Sequence, residues 1–211
     1  MTENSYHSTR FTPDPRREIL WQTLVAHEFQ KQIPAAGVVL ELGAGYGHFI
    51  NAVQARRRIA VDVWPGMASH LAPGVEGIIT DISQLDAIAD NSIDYVFCSN
   101  CFEHVSQQKL IDCLAQLRRK MKPGATLNIV QPNFKYCARE YFDDYTHVTI
   151  YTEQGLADLL AAQGFKIARC VARFMPFSIK SNKPVWPWLI RLYLSSPFKP
   201  FGKQMFISVV R

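Results

Sequence analysis

The sequence predicts an α/β fold in which helices cover both faces of a mostly parallel sheet. Short apolar segments alternate with amphipathic helical segments along most of the 211 residues, a pattern typical of a parallel sheet that is buried on both sides. The first predicted strand runs directly into three glycines, Gly43, Gly45 and Gly47, and then into a helix. Open α/β sheets bind ligands at such turns, beyond the carboxyl ends of their strands.

Seven strands are predicted in all. Five fall at residues 38–42, 59–62, 77–80, 93–98 and 125–130, and two more at 165–174 and 204–210. Helices are predicted over 47–56, 106–120 and 153–162, and Pro123 with Gly124 is expected to form a turn. This order indicates a Rossmann-like seven-stranded sheet with an antiparallel last strand, in which the last two strands form the antiparallel edge.

The chain is predicted to form one domain. Residues 1–13 are expected to be a flexible tail, and 14–211 the domain. The domain begins with a helical flap over 14–36, since Asp14 can cap a helix and Pro15 suits its first turn. Residues 174–203 separate the last two strands and form a connection far longer than a hairpin loop.

Composition excludes several classes of protein. Hydrophobic residues make up 48% of the chain, which suffices for a packed core without disulfides or a structural metal. The five scattered cysteines do not form a disulfide framework, and the N-terminal segment lacks the apolar run of a secretory signal. No uninterrupted apolar stretch is long enough to span a bilayer. We therefore expect a cytoplasmic protein.

The glycine-rich turn differs from a dinucleotide-binding turn. In the spacing G-x-G-x-x-G the start of the helix faces a pyrophosphate, whereas here the third glycine comes one residue early and His48 takes its place. Glu41 precedes the turn, and a carboxylate there would repel a pyrophosphate but attract a cationic amino-acid group.

Two further carboxylates follow the next two strands. Asp62 can accept hydrogen bonds from a ribose diol, and Asp81 can meet the exocyclic amine of an adenine. Each carboxylate taken alone would also suit a solvated strand end. Together with the turn they predict a site for a nucleoside that carries an amino acid and no phosphate, which is S-adenosylmethionine.

Five consecutive segments, ELGAGYG, AVDVWP, TDIS, IDYVFCSNCFEHV and LRRKMKPGATLNIVQPN, resemble the class I S-adenosylmethionine-dependent methyltransferases in their small-molecule branch. The resemblance covers roughly residues 37 to 173 and departs at Ala125, where the family usually has glycine. It implies S-adenosylmethionine as the cofactor. The residues that it implies for the cofactor are Glu41, Gly43, Ala44, Gly45 and Gly47 at the methionine end, Asp62 at the ribose, Asp81 with Ile82 at the adenine, and Ser99 with Asn100 opposite the glycines.

Two histidines lie on loops that follow strands at the same edge of the sheet. His104 follows the fourth strand and His147 the fifth, and either could accept a proton from a methyl acceptor near neutral pH. Each could instead serve only to order its loop. Asp143, Asp144 and Tyr145 could orient His147 or bind sugar hydroxyls, or could simply form a surface turn. Cys98, Cys101 and His104 are spaced like metal ligands, but the fourth ligand of a structural zinc is missing, so no metal is expected.

The connection 174–203 is basic and aromatic. Residues 159–211 contain nine Lys or Arg and no Asp or Glu, although the whole chain has a net charge of only +5. The connection could close over the acceptor, lie on an anionic membrane surface, bind nucleic acid, or pack as an ordinary excursion; a membrane contact at the inner leaflet is preferred to nucleic acid. The DYTH segment and this tail also resemble methyltransferases of cell-surface polysaccharide and glycolipid assembly.

The sequence therefore predicts methyl transfer from S-adenosylmethionine to a small-molecule or glycan acceptor, at a hydroxyl oxygen. A lipid, quinone or amine acceptor is the nearest alternative, and a non-catalytic cofactor-binding module is another. An NAD-dependent or nucleotide-sugar oxidoreductase is disfavoured by the glycine spacing and by Glu41. The oligomeric state is not predicted.

Overall fold

The computed structural model describes residues 14–176 and 185–211. Its strands are β1 (Val38–Leu42), β2 (Arg57–Asp62), β3 (Val75–Ile79), β4 (Ile93–Ser99), β5 (Met121–Pro132), β6 (Lys166–Pro176) and β7 (Gly202–Val210). They form one sheet in the order β3-β2-β1-β4-β5-β7-β6. The predicted seven-stranded, mostly parallel, Rossmann-like sheet is confirmed.

The last two strands form the antiparallel edge of the sheet, which confirms the prediction from the sequence. Strands β1 to β5 pair in parallel, and β7 is antiparallel to both β5 and β6. The antiparallel last strand is therefore confirmed, but β6 runs in the same direction as β5. The last strand fills the space between these two strands, so β6 and not β7 forms the edge of the sheet.

Six α-helices occur in the described residues: α1 (Pro15–Leu24), α2 (His48–Ala52), α3 (Gln107–Lys120), α4 (Phe134–Cys137), α5 (Glu153–Ala162) and α6 (Pro187–Ser195). Asp14 caps α1 as predicted, since its side chain accepts the N–H of Arg16 at 2.9 Å. A π-helical turn and a 3₁₀ turn extend α1 to Gln32. No helix in the described ranges is both long and apolar enough to cross a membrane.

Two apolar cores lie on opposite faces of the sheet. One packs the strands against α3 and α5, through residues such as Leu114 and Leu160. The other packs them against α1 and α2 and is strongly aromatic. The rings of Phe49 and Phe97 stack there with centroids 3.8 Å apart, and Phe29, a fully buried residue, contacts both. The segment predicted as a flap is thus anchored in a core.

The turn predicted at Pro123 and Gly124 is an irregularity inside a longer strand. Strand β5 already begins at Met121, and its pairing with β4 shifts register between Ile93 and Tyr95. Gly124 has a φ of +79°, which relieves the strand where the register shifts. The sequence predicts a turn at the proline and glycine, but it does not reveal that strand pairing with β4 occurs both before and after them.

The connection between β6 and β7 contains α6, which packs against α1. Ile190 and Leu194 face the aromatic core, whereas Trp188 and Leu192 on the other side of the helix are exposed. Lys199 closes the end of the helix by donating to the carbonyl oxygens of Tyr193 and Leu194. Residues 1–13, predicted as a tail, and the Lys180 and Lys183 of this connection lie outside the described residues.

Candidate active site

The sheet order brings the predicted site residues together at the carboxyl ends of the parallel strands. β1 lies at the centre between β2 and β4, and the chain leaves it toward β2 and β3 on one side and later returns to β4 and β5 on the other. The loops after β1 and β4 therefore diverge and leave a crevice between them, which is the usual ligand position in such sheets. The loops after β2 and β3 extend the crevice on one side, and the loop after β5 extends it on the other.

The glycine turn after β1 requires glycine at three positions. Gly43, Gly45 and Gly47 have φ values of +66°, +51° and +67°, a region that favours glycine. The N–H groups of Gly43 and Ala44 both donate to the carbonyl oxygen of Val61, at 2.9 and 3.2 Å. A side chain at Gly43 would also lie 2.8 Å from the Cβ of Cys101, so the turn forms one wall of a narrow crevice against the loop after β4.

Asp62 fastens the glycine turn to the end of β2. Its Oδ2 accepts the N–H of Gly45 at 2.7 Å, and its Oδ1 accepts the N–H of Trp64 at 2.8 Å. A carboxylate offers about four acceptor positions, so two backbone donors leave capacity for ribose hydroxyls. The carboxylate predicted to bind the ribose therefore also sets the shape of the turn; its contact with the ribose stays a prediction.

Glu41 lies beneath the turn rather than on the surface of the crevice. Its side chain is 5% exposed, and its Oε2 accepts the N–H of Ile50 in α2 at 3.0 Å. Burial raises the pKa of Glu41 well above its usual range, and the charge of Asp62 adds to the increase. Its visible role is to join β1 to the first turn of α2, and the contact with the methionine amino group stays a prediction.

Asp81 follows β3 and is already paired. Its Oδ2 accepts from the Lys109 ammonium at 2.7 Å, and its Oδ1 accepts from the Ser83 hydroxyl at 2.7 Å. Burial acts to raise the pKa of Asp81, but the hydrogen bonds from Lys109 and Ser83 outweigh it and lower the pKa. Ile82 beside it is buried, as an apolar contact for an adenine requires. Lys109 was not predicted, because it lies on α3.

Asn100 sits in a strained conformation on the opposite side of the crevice. Its φ is +50°, and its N–H donates to the carbonyl of Val130 at 2.9 Å. Its Oδ1 accepts from the amide of Gln204 on β7 at 2.7 Å, and its Nδ2 donates to the Ser99 hydroxyl. Gln204 is a site residue that the sequence did not indicate, since it comes from the far end of the chain.

His104 and His147 lie together, with ring centroids 4.8 Å apart. The segment that carries His147 is docked on the loop after β4, because the N–H groups of Val148 and Thr149 both donate to the carbonyl of Glu103. Nδ1 of His147 must donate to the carbonyl oxygen of Tyr141, at 2.6 Å, since that oxygen can only accept. The Nε2 of the neutral His147 therefore carries the lone pair.

A short relay holds His104. The Thr146 hydroxyl donates to Asp144 Oδ1 at 2.6 Å and so accepts from Nδ1 of His104 at 2.9 Å. Burial lowers the pKa of His104 to about 4, and the neighbouring His147 contributes. Through Thr146, Asp144 orients His104, and its carboxylate also interacts electrostatically with His147; that it orients His147 stays a prediction. Tyr145 is exposed and makes no such link.

Glu103 is the residue of this cluster that sequence reasoning missed. It is 1% exposed, and neither carboxylate oxygen has a hydrogen-bond partner in the part of the chain that the structure describes. Burial raises the pKa of Glu103 to about 8, and the charge of Asp144 contributes. The Glu-His-Val motif places it next to His104, but its burial depends on the segment around His147 that covers it.

Comparisons with known proteins identify the family of the chain. A family model described as a methyltransferase domain matches residues 15–169. A malonyl-[acyl-carrier protein] O-methyltransferase of Methylococcus capsulatus is 28% identical over 158 residues, which are 66% of this chain and 56% of that protein. The chain thus spans little more than half the length of this curated relative.

Solved structures show the same fold. A SAM-dependent methyltransferase from Archaeoglobus fulgidus superposes with a TM-score of 0.69 at 21% identity, over 92% of this chain and 94% of that one. A geranyl diphosphate methyltransferase in complex with SAM superposes with a TM-score of 0.65 at 12% identity, over 92% and 85% of the two chains.

The chain belongs to the methyltransferase-domain family, since the family model covers more than half of it. This confirms the methyltransferase family predicted from the sequence, and the use of S-adenosylmethionine as the methyl donor stays a prediction. The individual contacts of the site residues with that cofactor remain predictions.

We expect Gly43→Ala to weaken cofactor binding and stability more than Gly124→Ala does. Both glycines have a positive φ, so each alanine costs about 1–2 kcal/mol of backbone strain. Only at position 43 would the new Cβ also meet Cys101 at 2.8 Å, whereas nothing lies within 4 Å at position 124. Thermal unfolding and calorimetric titration with S-adenosylhomocysteine measure both effects. Equal losses in the two variants would contradict the narrow crevice.

Asp62→Asn should reduce the affinity for S-adenosylhomocysteine by about tenfold or more, equivalent to about 1.4 kcal/mol. The asparagine keeps one acceptor for the turn, whereas alanine would strand both the Gly45 and the Trp64 N–H. The matched control is Asp158→Asn on α5, whose exposed carboxylate accepts from the neighbouring Gln154. Undiminished affinity of the Asp62 variant in calorimetry would count against the ribose assignment.

Proposed function

We propose that this chain transfers the methyl group of S-adenosylmethionine to a hydroxyl oxygen of a small-molecule or glycan acceptor. The observation that carries the choice of oxygen is the pair His104 and His147 beside the crevice. Cys101 lies against the glycine turn, and His104 follows it by three residues on the same loop, which supports a position of the pair near the methionine end of the proposed cofactor site. An amine acceptor needs only to be neutral, whereas a hydroxyl gains from a base.

The reaction is an in-line displacement at an activated methyl group. Because the sulfonium is a good leaving group, alignment and exclusion of water supply most of the acceleration. The acceptor oxygen forms the new bond to carbon as the carbon–sulfur bond breaks, and its proton must leave. We assign the proton to Nε2 of His147, since Nδ1 of this ring donates to the carbonyl oxygen of Tyr141 and leaves Nε2 as the proton acceptor.

Other acceptors remain alternatives, and a non-catalytic cofactor-binding module is another. The relatives are named for different acceptors, malonyl-[acyl-carrier protein] in one and geranyl diphosphate in the other, so the family does not select one. A lipid, a quinone or an amine would enter the same crevice. The resemblance to enzymes of cell-surface polysaccharide and glycolipid assembly favours a sugar hydroxyl, presented on a lipid or a nucleotide at the inner leaflet.

Two substitutions at His147 each remove the proposed base and keep one of the two polar positions of its ring. Asparagine places an amide N–H where Nδ1 donates to Tyr141 but removes Nε2, and glutamine does the reverse. We expect both variants to bind S-adenosylhomocysteine as the wild type does and to lose at least a hundredfold in turnover with a hydroxyl acceptor. Turnover is followed as S-adenosylhomocysteine formed with panels of nucleotide sugars, lipid-linked sugars, phenols and amines.

Amine methylation that survives in both variants, with no methylation of any hydroxyl, would overturn the choice of oxygen. Cofactor binding without turnover on any member of the panels would favour the non-catalytic module. Binding of NADH in the same calorimetric assay would contradict the methyl-transfer assignment.

We further propose that α6 and the turn after it contact an anionic membrane surface. Trp188 and Leu192 project from the outer side of α6 and are 61% and 60% exposed, and Phe198 and Phe201 are 75% and 81% exposed. This part of the chain carries basic but no acidic residues. Exposed tryptophan and phenylalanine beside positive charge suit the headgroup region of an anionic bilayer.

The double substitution Trp188→Ser and Leu192→Ser should abolish binding to vesicles that contain phosphatidylglycerol, because it removes the apolar side of α6 and leaves the contact with α1 intact. Co-sedimentation of the wild type should require phosphatidylglycerol and weaken at high salt. The control is Phe142→Ser, since Phe142 is 58% exposed but lies far along the chain on another loop. A wild type that stays in the supernatant with anionic vesicles refutes the membrane contact.

A further inference from the structure

The cluster formed by Glu103, His104 and His147, called here the Glu–His–His cluster, has the donor set of a metal site. One carboxylate oxygen and one ring nitrogen of each histidine lie within 4.8 Å of one another. Glu103 and His147 are buried and His104 is partly buried. Two imidazoles and one carboxylate on one side of an ion leave its other positions open for further ligands.

Glu103 provides an observation independent of this spacing. Both of its oxygens are buried, and neither accepts a hydrogen bond from the described residues. A buried carboxylate without a partner is costly whether it is charged or protonated, because the protonated form would still lack an acceptor for its own hydrogen. Asp144 nearby makes the region more negative. A cation held against Glu103 would remove the cost.

The histidines are oriented as metal ligands usually are. A histidine ligand commonly donates its other ring N–H to a carbonyl or a carboxylate, which fixes the tautomer and the ring. Here His147 donates from Nδ1 to the carbonyl of Tyr141, and His104 donates from Nδ1 to Thr146, which donates to Asp144. In both neutral rings Nε2 is the nitrogen with the lone pair.

We propose that the Glu–His–His cluster binds one divalent first-row transition-metal ion, through one carboxylate oxygen of Glu103 and Nε2 of each histidine. Two nitrogen donors favour Mn²⁺, Fe²⁺, Co²⁺ or Zn²⁺ over Mg²⁺ and Ca²⁺, which prefer oxygen ligands. Ligand atoms that lie about 2.0–2.2 Å from one ion are about 3–4 Å from each other. Side-chain rotations that move these atoms by about 1 Å would therefore bring all three within coordination distance of one ion. This proposal replaces our expectation from the sequence that no metal binds.

Any role of the ion in methyl transfer rests on the proposed function. The ion would hold the acceptor oxygen in one of its open positions and would lower the pKa of that hydroxyl. In the metal-bound form Nε2 of His147 would be a ligand, so the proton assigned to it above would pass to solvent water instead. Metal binding itself requires neither the cofactor nor an acceptor and is measured without them.

The test uses the full-length, tag-free protein after treatment with EDTA and desalting. Titration with Co²⁺ should give a visible ligand-field spectrum that saturates at one ion per chain, and Zn²⁺ should displace it. Glu103→Gln, which preserves the size of the side chain, and His147→Asn, which preserves the bond to Tyr141, should each weaken Co²⁺ binding by at least tenfold. Thermal melting of both variants without metal shows that they fold.

Controls lie outside the cluster. Glu76→Gln removes an exposed carboxylate that pairs with Arg57, and His27→Gln removes a histidine near Ser195, and neither should change Co²⁺ binding. Failure to bind Co²⁺, Zn²⁺ or Mn²⁺ at millimolar concentration overturns the site, and so does binding that persists in Glu103→Gln. Metal binding without methyl transfer would contradict only the proposed function. Methyl transfer that resists EDTA, by a protein that binds no metal, would contradict only this inference.

Discussion

The crevice depends on the hydrogen bond between the Asp62 carboxylate and the Gly45 N–H, 2.7 Å long and shielded from water. It ties the turn after β1 to the end of β2, and the carbonyl of Val61 reinforces the link by accepting from Gly43 and Ala44. Three glycines in five residues lose much conformational freedom when the turn becomes ordered, so neighbouring structure has to hold it. The same carboxylate is the predicted ribose ligand, so in the proposed complex one side chain would both shape the turn and bind the cofactor.

Much of the fold could be predicted because local pattern and global structure agree. Strand β1 and helix α5 lie at the predicted residues, since apolar runs and the Thr152 cap are local signals. The length of β5 and the direction of β6 could not be predicted, because pairing with β4 and β7 decides them. The same limit applied to the site: Asp62 and the glycines were visible in the sequence, whereas the Asp81–Lys109 pair and the Asn100–Gln204 bond join residues 28 and 104 positions apart.

The two histidines illustrate what sequence spacing leaves open. Their loops follow β4 and β5, which are neighbours, so both could be placed at the same edge of the sheet. Which group orients which ring could not be predicted: Asp144 acts on His104 through Thr146, and a backbone carbonyl holds His147. Glu103 precedes a histidine in the sequence, and that position alone did not predict a functional role for it. Its significance comes from burial, which the docking of residues 148 and 149 on its carbonyl produces.

Buried polar groups without hydrogen-bond partners occur on both faces of the sheet in the described residues, among them the Tyr95 hydroxyl in the aromatic core, but Glu103 is the carboxylate among them. Around α1 and α2 the core is closed by stacked aromatic rings, and burial of such rings favours one rigid arrangement. On the side of the sheet where α3 and α5 lie, the Glu103 carboxylate and the Tyr151 hydroxyl are buried without hydrogen-bond partners in the described residues. A fold selected for stability alone would replace them with apolar side chains of similar size. The position of Glu103 beside a histidine pair that is itself held by hydrogen bonds supports the proposal that a ligand completes the cluster, and two nitrogens with a carboxylate are donors that suit a cation.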